Sequence, residues 1–151
     1  MQITDFKTSN LENFDKDITA NYKFIHKNAV SSFGKEIYVD LDFRKELKDF
    51  VFKKDERTSD YWFESKSDLV RETVLNIPAG YTVTSVPSNL SLKNDNLEIN
   101  VTFTEQQGKL LYKKNLIIKN SRLSKKTFEQ WNADISKLQS VYNEQVVLTS
   151  K

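Results

Sequence analysis

The sequence predicts an all-β fold, an antiparallel immunoglobulin-like β-sandwich with one C-terminal amphipathic helix. Three observations point there. Apolar and polar residues alternate with a period of two through much of the chain. The alternating runs are joined by connections too short for βαβ crossovers. A single stretch, beginning at Ser124, switches to the three-and-four spacing of a helix.

In chain order, Ala20, Tyr22, Phe24 and His26 form one face of a strand against Asn21, Lys23, Ile25 and Lys27. Next, Ile37, Val39, Leu41 and Phe43 alternate with Glu36, Tyr38, Asp40 and Asp42, after a hairpin at "SSFGK" around Gly34. In "RKELKDF", Leu47 and Phe50 share a side, as in a short helical turn. "LVRETVLNI" and "KLLYKKNLII" carry apolar residues on both faces, the mark of central strands. Between them, "NIPAGYTVTSVP" spends both prolines and one of three glycines within a dozen residues. Pro78 suits position i+1 of a turn that Gly80 ends, and Pro87 stops the following strand because it has no N–H to donate. Leu97, Ile99, Val101 and Phe103 alternate up to a second hairpin, "EQQGK" at Gly108.

The helix places Phe128, Trp131, Ile135, Leu138 and Tyr142 on one stripe. Ser124 is the expected N-cap, and Leu123 with Phe128 the expected hydrophobic staple. Its length should be roughly 17 residues, about 25 Å. "VVLTS" then reads as a last short strand.

A chain of 151 residues, 38% hydrophobic and 12% aromatic, is one globular domain, residues 1–151. Its 23 basic and 21 acidic residues nearly balance, which argues against a nucleic-acid binder. No apolar run approaches the ~18 residues of a membrane span. "MQITDFKTSN" lacks the basic and apolar regions of a signal peptide. The expectation is a domain cut from a longer protein.

Ile77, Pro78, Gly80, Tyr81, Val83, Val86 and Pro87 follow a strand in the order I-P-x-G-Y-x-V-x-x-V-P. "DERTSDYWF", with Arg57 and Phe63, precedes them, and "KLLYKKNLIIKNSRLSKKTFEQW" and "VVLTSK" follow. Together these resemble a bacterial domain of unknown function found at the C-terminal end of transglutaminase-like proteins. The resemblance covers Lys54 to Lys151, and the first fifty residues look like strands joining the core to this module. It implies a parent protein with an N-terminal β-rich domain, a transglutaminase-like core and then this module. It also implies a periplasmic or cell-surface location, with the export signal in the N-terminal part. The implied partners are the adjacent core and a cell-wall or protein partner.

Catalytic chemistry is not expected. A transglutaminase-like core needs a cysteine, a histidine and an acid, and this chain has no cysteine. His26 is the single histidine and is expected at a packed or rim position. No transition-metal site and no cofactor are expected. Asp40 and Asp42 read as the solvent face of a strand rather than paired glycosidase acids. Asp55, Glu56 and Asp60 lack the spacing of a calcium loop. Asn89 and Asn100 head glycosylation sequons of high false-positive rate. Three scattered glycines cannot build a phosphate loop.

Tyr61 and Trp62 are the candidate ligand or partner surface, although at least one of Tyr61, Trp62 and Phe63 must face the core. Trp131 is expected to anchor helix to sheet. The expected function is a non-catalytic accessory domain of a transglutaminase-like protein. The alternative is a carbohydrate-binding module using exposed aromatics. A row of exposed aromatics on one sheet favours sugar, whereas a broad apolar patch near the N-terminal end favours a neighbouring domain.

Overall fold

The computed structural model describes residues 2–26, 29–53 and 57–151. It is mostly β, with every strand pairing among the described residues antiparallel and one α-helix near the C-terminus. In chain order the elements are β1 (Gln2–Ser9), β2 (Thr19–Ile25), β3 (Val30–Phe33), β4 (Glu36–Val39), β5 (Tyr61–Trp62) and β6 (Ser67–Asn76). They continue with β7 (Tyr81–Ser85), β8 (Leu90–Lys93), β9 (Leu97–Gln106), β10 (Lys109–Ile118), β11 (Arg122–Leu123), α1 (Phe128–Asn143) and β12 (Val146–Ser150). Two four-stranded sheets have the orders β6-β10-β9-β8 and β3-β4-β12-β7. The pairs β1-β2 and β5-β11 form separate two-stranded ribbons.

The long β6-β10-β9 ladder runs without a bulge, and its register follows from the turn at Gln107-Gly108. Both residues have positive φ, 47° and 75°, as a two-residue I′ hairpin requires. That register turns Leu110, Tyr112, Lys114, Leu116 and Ile118 of β10 inward, with Leu97, Ile99 and Val101 of β9 beside them. Val39 from β4 and Val146 and Leu148 from β12 join the same buried cluster, so both four-stranded sheets feed one core.

The helix stripe behaves as its spacing predicts. Phe128, Trp131, Ile135, Leu138 and Tyr142 are all buried. Ser124 caps a 3-10 turn over Lys125–Thr127, its hydroxyl accepting from the Lys126 amide, and α1 continues for 16 residues. Leu123 and Phe128, the expected staple pair, both enter the core. The Trp131 indole donates to the Phe50 carbonyl at 2.9 Å, which satisfies its one polar group inside the protein.

Four expectations need correction. The strand "LVRETVLNI" (β6) lies at a sheet edge, with Val70 and Val74 exposed. Its inward parity carries polar residues with their own partners: Arg71 bonds Glu46, and the Thr73 hydroxyl donates to the Leu41 carbonyl. "RKELKDF" is a run of turns rather than a helical turn, with Lys45 and Leu47 at φ 43° and 62°, although Leu47 and Phe50 do pack on the core. Phe43 is half exposed because the strand ends at Val39. Finally, Pro78 occupies position i of its turn, since the Tyr81 amide donates to the Pro78 carbonyl. Ala79 is then i+1, and Gly80 at i+2 has φ 84°, the type II geometry.

Candidate functional site

Tyr61 and Trp62 do not share a surface. Tyr61 turns into an aromatic cluster, with ring centroids 5.1 Å from Phe50, 5.4 Å from Phe52 and 4.9 Å from Phe63. Trp62 faces solvent, 64% exposed, with the Arg122 guanidinium 5.8 Å from its ring. Alternation along β5 explains the split, because neighbouring residues on a strand face opposite ways.

Asp60 fixes Arg122 in place through an Nε bond of 2.7 Å, and its other oxygen accepts the Lys125 amide at 2.8 Å. The Lys125 amide and the Arg122 bond together hold the Asp60 carboxyl below its ordinary range. Asp60 thus ties the ribbon to the start of the helix segment. Asp55 and Glu56, weighed with Asp60 as calcium ligands and set aside for their spacing, lie outside the described residues, as do Lys54 and Lys27. Beside Asp60 and Arg122 opens a cleft whose walls include Ser124, Lys126, Phe128 and Asn132.

A second aromatic surface lies on the β1-β2 hairpin. Phe6, Tyr22, Phe24 and Phe43 form a row with successive centroid separations of 6.2, 6.0 and 5.9 Å. His26 ends the row, 5.9 Å from Phe43, as an exposed rim residue. Ile3 pairs directly opposite Phe24 and so belongs to the same face. The four rings are between 38% and 63% exposed. Every described side chain of β2 is exposed, so the Tyr22, Phe24, His26 face is a strand face as its alternation suggests, but an outward one. Its signal in the sequence was Tyr22 and Phe24 two residues apart, alternating with Asn21 and Lys23.

Inside the protein sits a charged cluster that the sequence reading missed. The Lys114 side chain is 0% exposed, and its Nζ donates to Asp42 Oδ2 at 2.5 Å, Glu46 Oε2 at 2.6 Å and the Tyr142 hydroxyl at 2.9 Å. The Tyr112 hydroxyl donates to the same Asp42 Oδ2 at 2.6 Å. Asp42 Oδ1 accepts the backbone amides of Arg44 and Lys45 at 3.1 and 3.0 Å. Arg71 Nε donates to Glu46 Oε1 at 3.0 Å.

Asp42 therefore lies in the interior, which corrects its assignment to a solvent face. Asp40 stays at the half-buried rim, paired with Lys45 at 2.6 Å. Burial pushes the Asp42 carboxyl up, but the bonds from Lys114, Tyr112 and the Lys45 amide outweigh it and hold it below its ordinary value. Glu46 is likewise raised by burial and lowered further by Lys114, its own amide and Arg71. Burial first, and then the acids, push both tyrosines above their ordinary range.

The sequence model of one family, described as a domain of unknown function with a solved structure and called DUF3858, matches residues 35–148. No curated protein and no solved structure matches the chain. The match begins well before Lys54, taking in β4 and the Asp42 loop, and leaves β1, β2 and β3 outside it. Spanning most of the sequence, it shows that the chain belongs to the DUF3858 family of domains of unknown function.

Proposed function

We propose that this chain is a non-catalytic accessory module of a transglutaminase-like protein, docking on the neighbouring core domain through the aromatic face of its β1-β2 hairpin. The observation that carries this reading is the outward row of Phe6, Tyr22 and Phe24 on a ribbon outside the family-matched segment, continued by Phe43 just inside it. An isolated two-stranded hairpin is marginal in water, so such a ribbon gains stability from whatever covers it. Contiguous aromatic area of this kind marks an interaction surface.

The motifs from Lys54 onward support the parentage by resemblance, and with it a bacterial, periplasmic or cell-surface setting. Two four-stranded antiparallel sheets feeding one core support the immunoglobulin-like sandwich that accompanies this reading. With exposed Ile3 opposite Phe24, the row broadens into an apolar patch near the N-terminal end, which favours a neighbouring domain over the carbohydrate alternative. Trp62 is a single outward ring, and Tyr61 beside it is engaged with Phe50, Phe52 and Phe63.

The test is binding of this chain to the separately produced core domain. Replacing both Tyr22 and Phe24 by Asp should weaken binding at least about tenfold, the effect of losing about 1.4 kcal/mol at an interface. The thermal midpoint should stay near that of the unaltered chain, because neither ring is buried. Undiminished binding by the double variant would remove the hairpin as the docking face.

A further inference from the structure

We propose that Lys114 and Asp42 join in a self-catalysed isopeptide bond, with Glu46 as the proton carrier. Three features of the cluster go beyond an ordinary ion pair. The amine lies 2.5 Å from one oxygen of Asp42, inside the protein and out of competition with bulk water. The other oxygen, Oδ1, already accepts two backbone amides, at 3.1 and 3.0 Å. Two fixed amides on one carboxyl oxygen form an oxyanion hole, which stabilises negative charge as it develops there. Glu46 Oε2, 2.6 Å from the same amine, can accept a proton from nitrogen and return it to oxygen.

The chemistry balances without any added reagent. A proton passes from the Lys114 ammonium to Asp42 Oδ2, leaving a neutral amine and a carboxylic acid. The amine lone pair attacks Asp42 Cγ, forming the C–N bond while Oδ1 takes up negative charge against the Arg44 and Lys45 amides. Glu46 removes a proton from the nitrogen and delivers it to the Oδ2 hydroxyl, to which Tyr112 also donates a hydrogen bond. The C–Oδ2 bond breaks, Oδ1 returns to a carbonyl, and one water leaves. A cavity of about 20 Å³ touching Asp42, Tyr112 and Tyr142 has room for that water. Holding amine and acid in contact supplies the orientation that makes an otherwise slow condensation accessible. The product would covalently tie the loop after β4 to the middle of β10, linking the two four-stranded sheets.

Intact-mass spectrometry of the wild-type chain tests this, and it does not depend on any variant folding. The expected mass is lower than the sequence mass by one water. A tryptic digest should contain a branched peptide joining the Asp42 and Lys114 segments, with no cleavage after Lys114. Lys114→Arg should show the full mass, and Glu46→Gln should lose the water more slowly or not at all. A full-length mass with clean cleavage after Lys114 would overturn the proposal. So would a water loss that maps to a succinimide at an aspartate. A bond that forms in Glu46→Gln at the wild-type rate would remove Glu46 from the chemistry.

Discussion

Lys114 occupies the same parity of β10 as Leu110, Tyr112, Leu116 and Ile118, and that parity alone sends its ammonium into the core. A lysine in a core register is a legible signal, but "KLLYKKNLII" hides it because Lys113 beside it faces solvent. Asp42 misleads for the opposite reason. It continues the polar parity of Tyr38 and Asp40, yet β4 ends at Val39 and the following turns rotate its carboxylate inward. Period-two reasoning holds only while the strand lasts.

Gly80 shows the reverse, a residue whose role follows from the turn itself. At φ 84° it sits in the left-handed region, and an added Cβ would meet nothing within 4 Å. The cost of Gly80→Ala is therefore conformational, and we expect about 1 kcal/mol of destabilisation, read as a lower midpoint in urea. A neutral or stabilising effect would mean that this turn relaxes to another type.

At the scale of elements, the helix was the most legible part. Its three-and-four spacing specified which five residues would be buried, and all five are. A 16-residue helix gains most of its stability from packing rather than propensity. Trp131 is the centre of that packing, with rings of Phe50, Phe52 and Phe63 around it and its N–H bonded to Phe50. Trp131→Ala should cost about 3–5 kcal/mol. Chemical denaturation measures it, and an unchanged midpoint would contradict the packing role. β6 was less legible, because its outward valines imitate a strand covered on both sides. "RKELKDF" was misread because its conformation is set by tertiary bonds. Lys48 and Tyr142 show this: the Lys48 carbonyl accepts from Gln139, and the Tyr142 hydroxyl donates to the Glu46 carbonyl.

For the whole molecule, the β-rich, antiparallel architecture with a C-terminal helix follows from periodicity and short connections alone. The arrangement of the functional surfaces does not. Alternation in β2 identified Tyr22 and Phe24 as one face, but which face meets the core depends on contacts between distant segments. The sequence reading placed the candidate surface at Tyr61 and Trp62, whereas the larger outward aromatic area is on β1 and β2. That area gives the docking proposal its physical content, because a solvent-bathed ribbon has little local stability and a covered one has much more. Amide hydrogen exchange, compared between this chain alone and this chain with the proposed neighbouring core domain, measures the difference. Docking of the hairpin should slow exchange in Gln2–Ser9 and Thr19–Ile25 when the core domain is present. Equal, fast exchange of both strands with and without the core domain would contradict it.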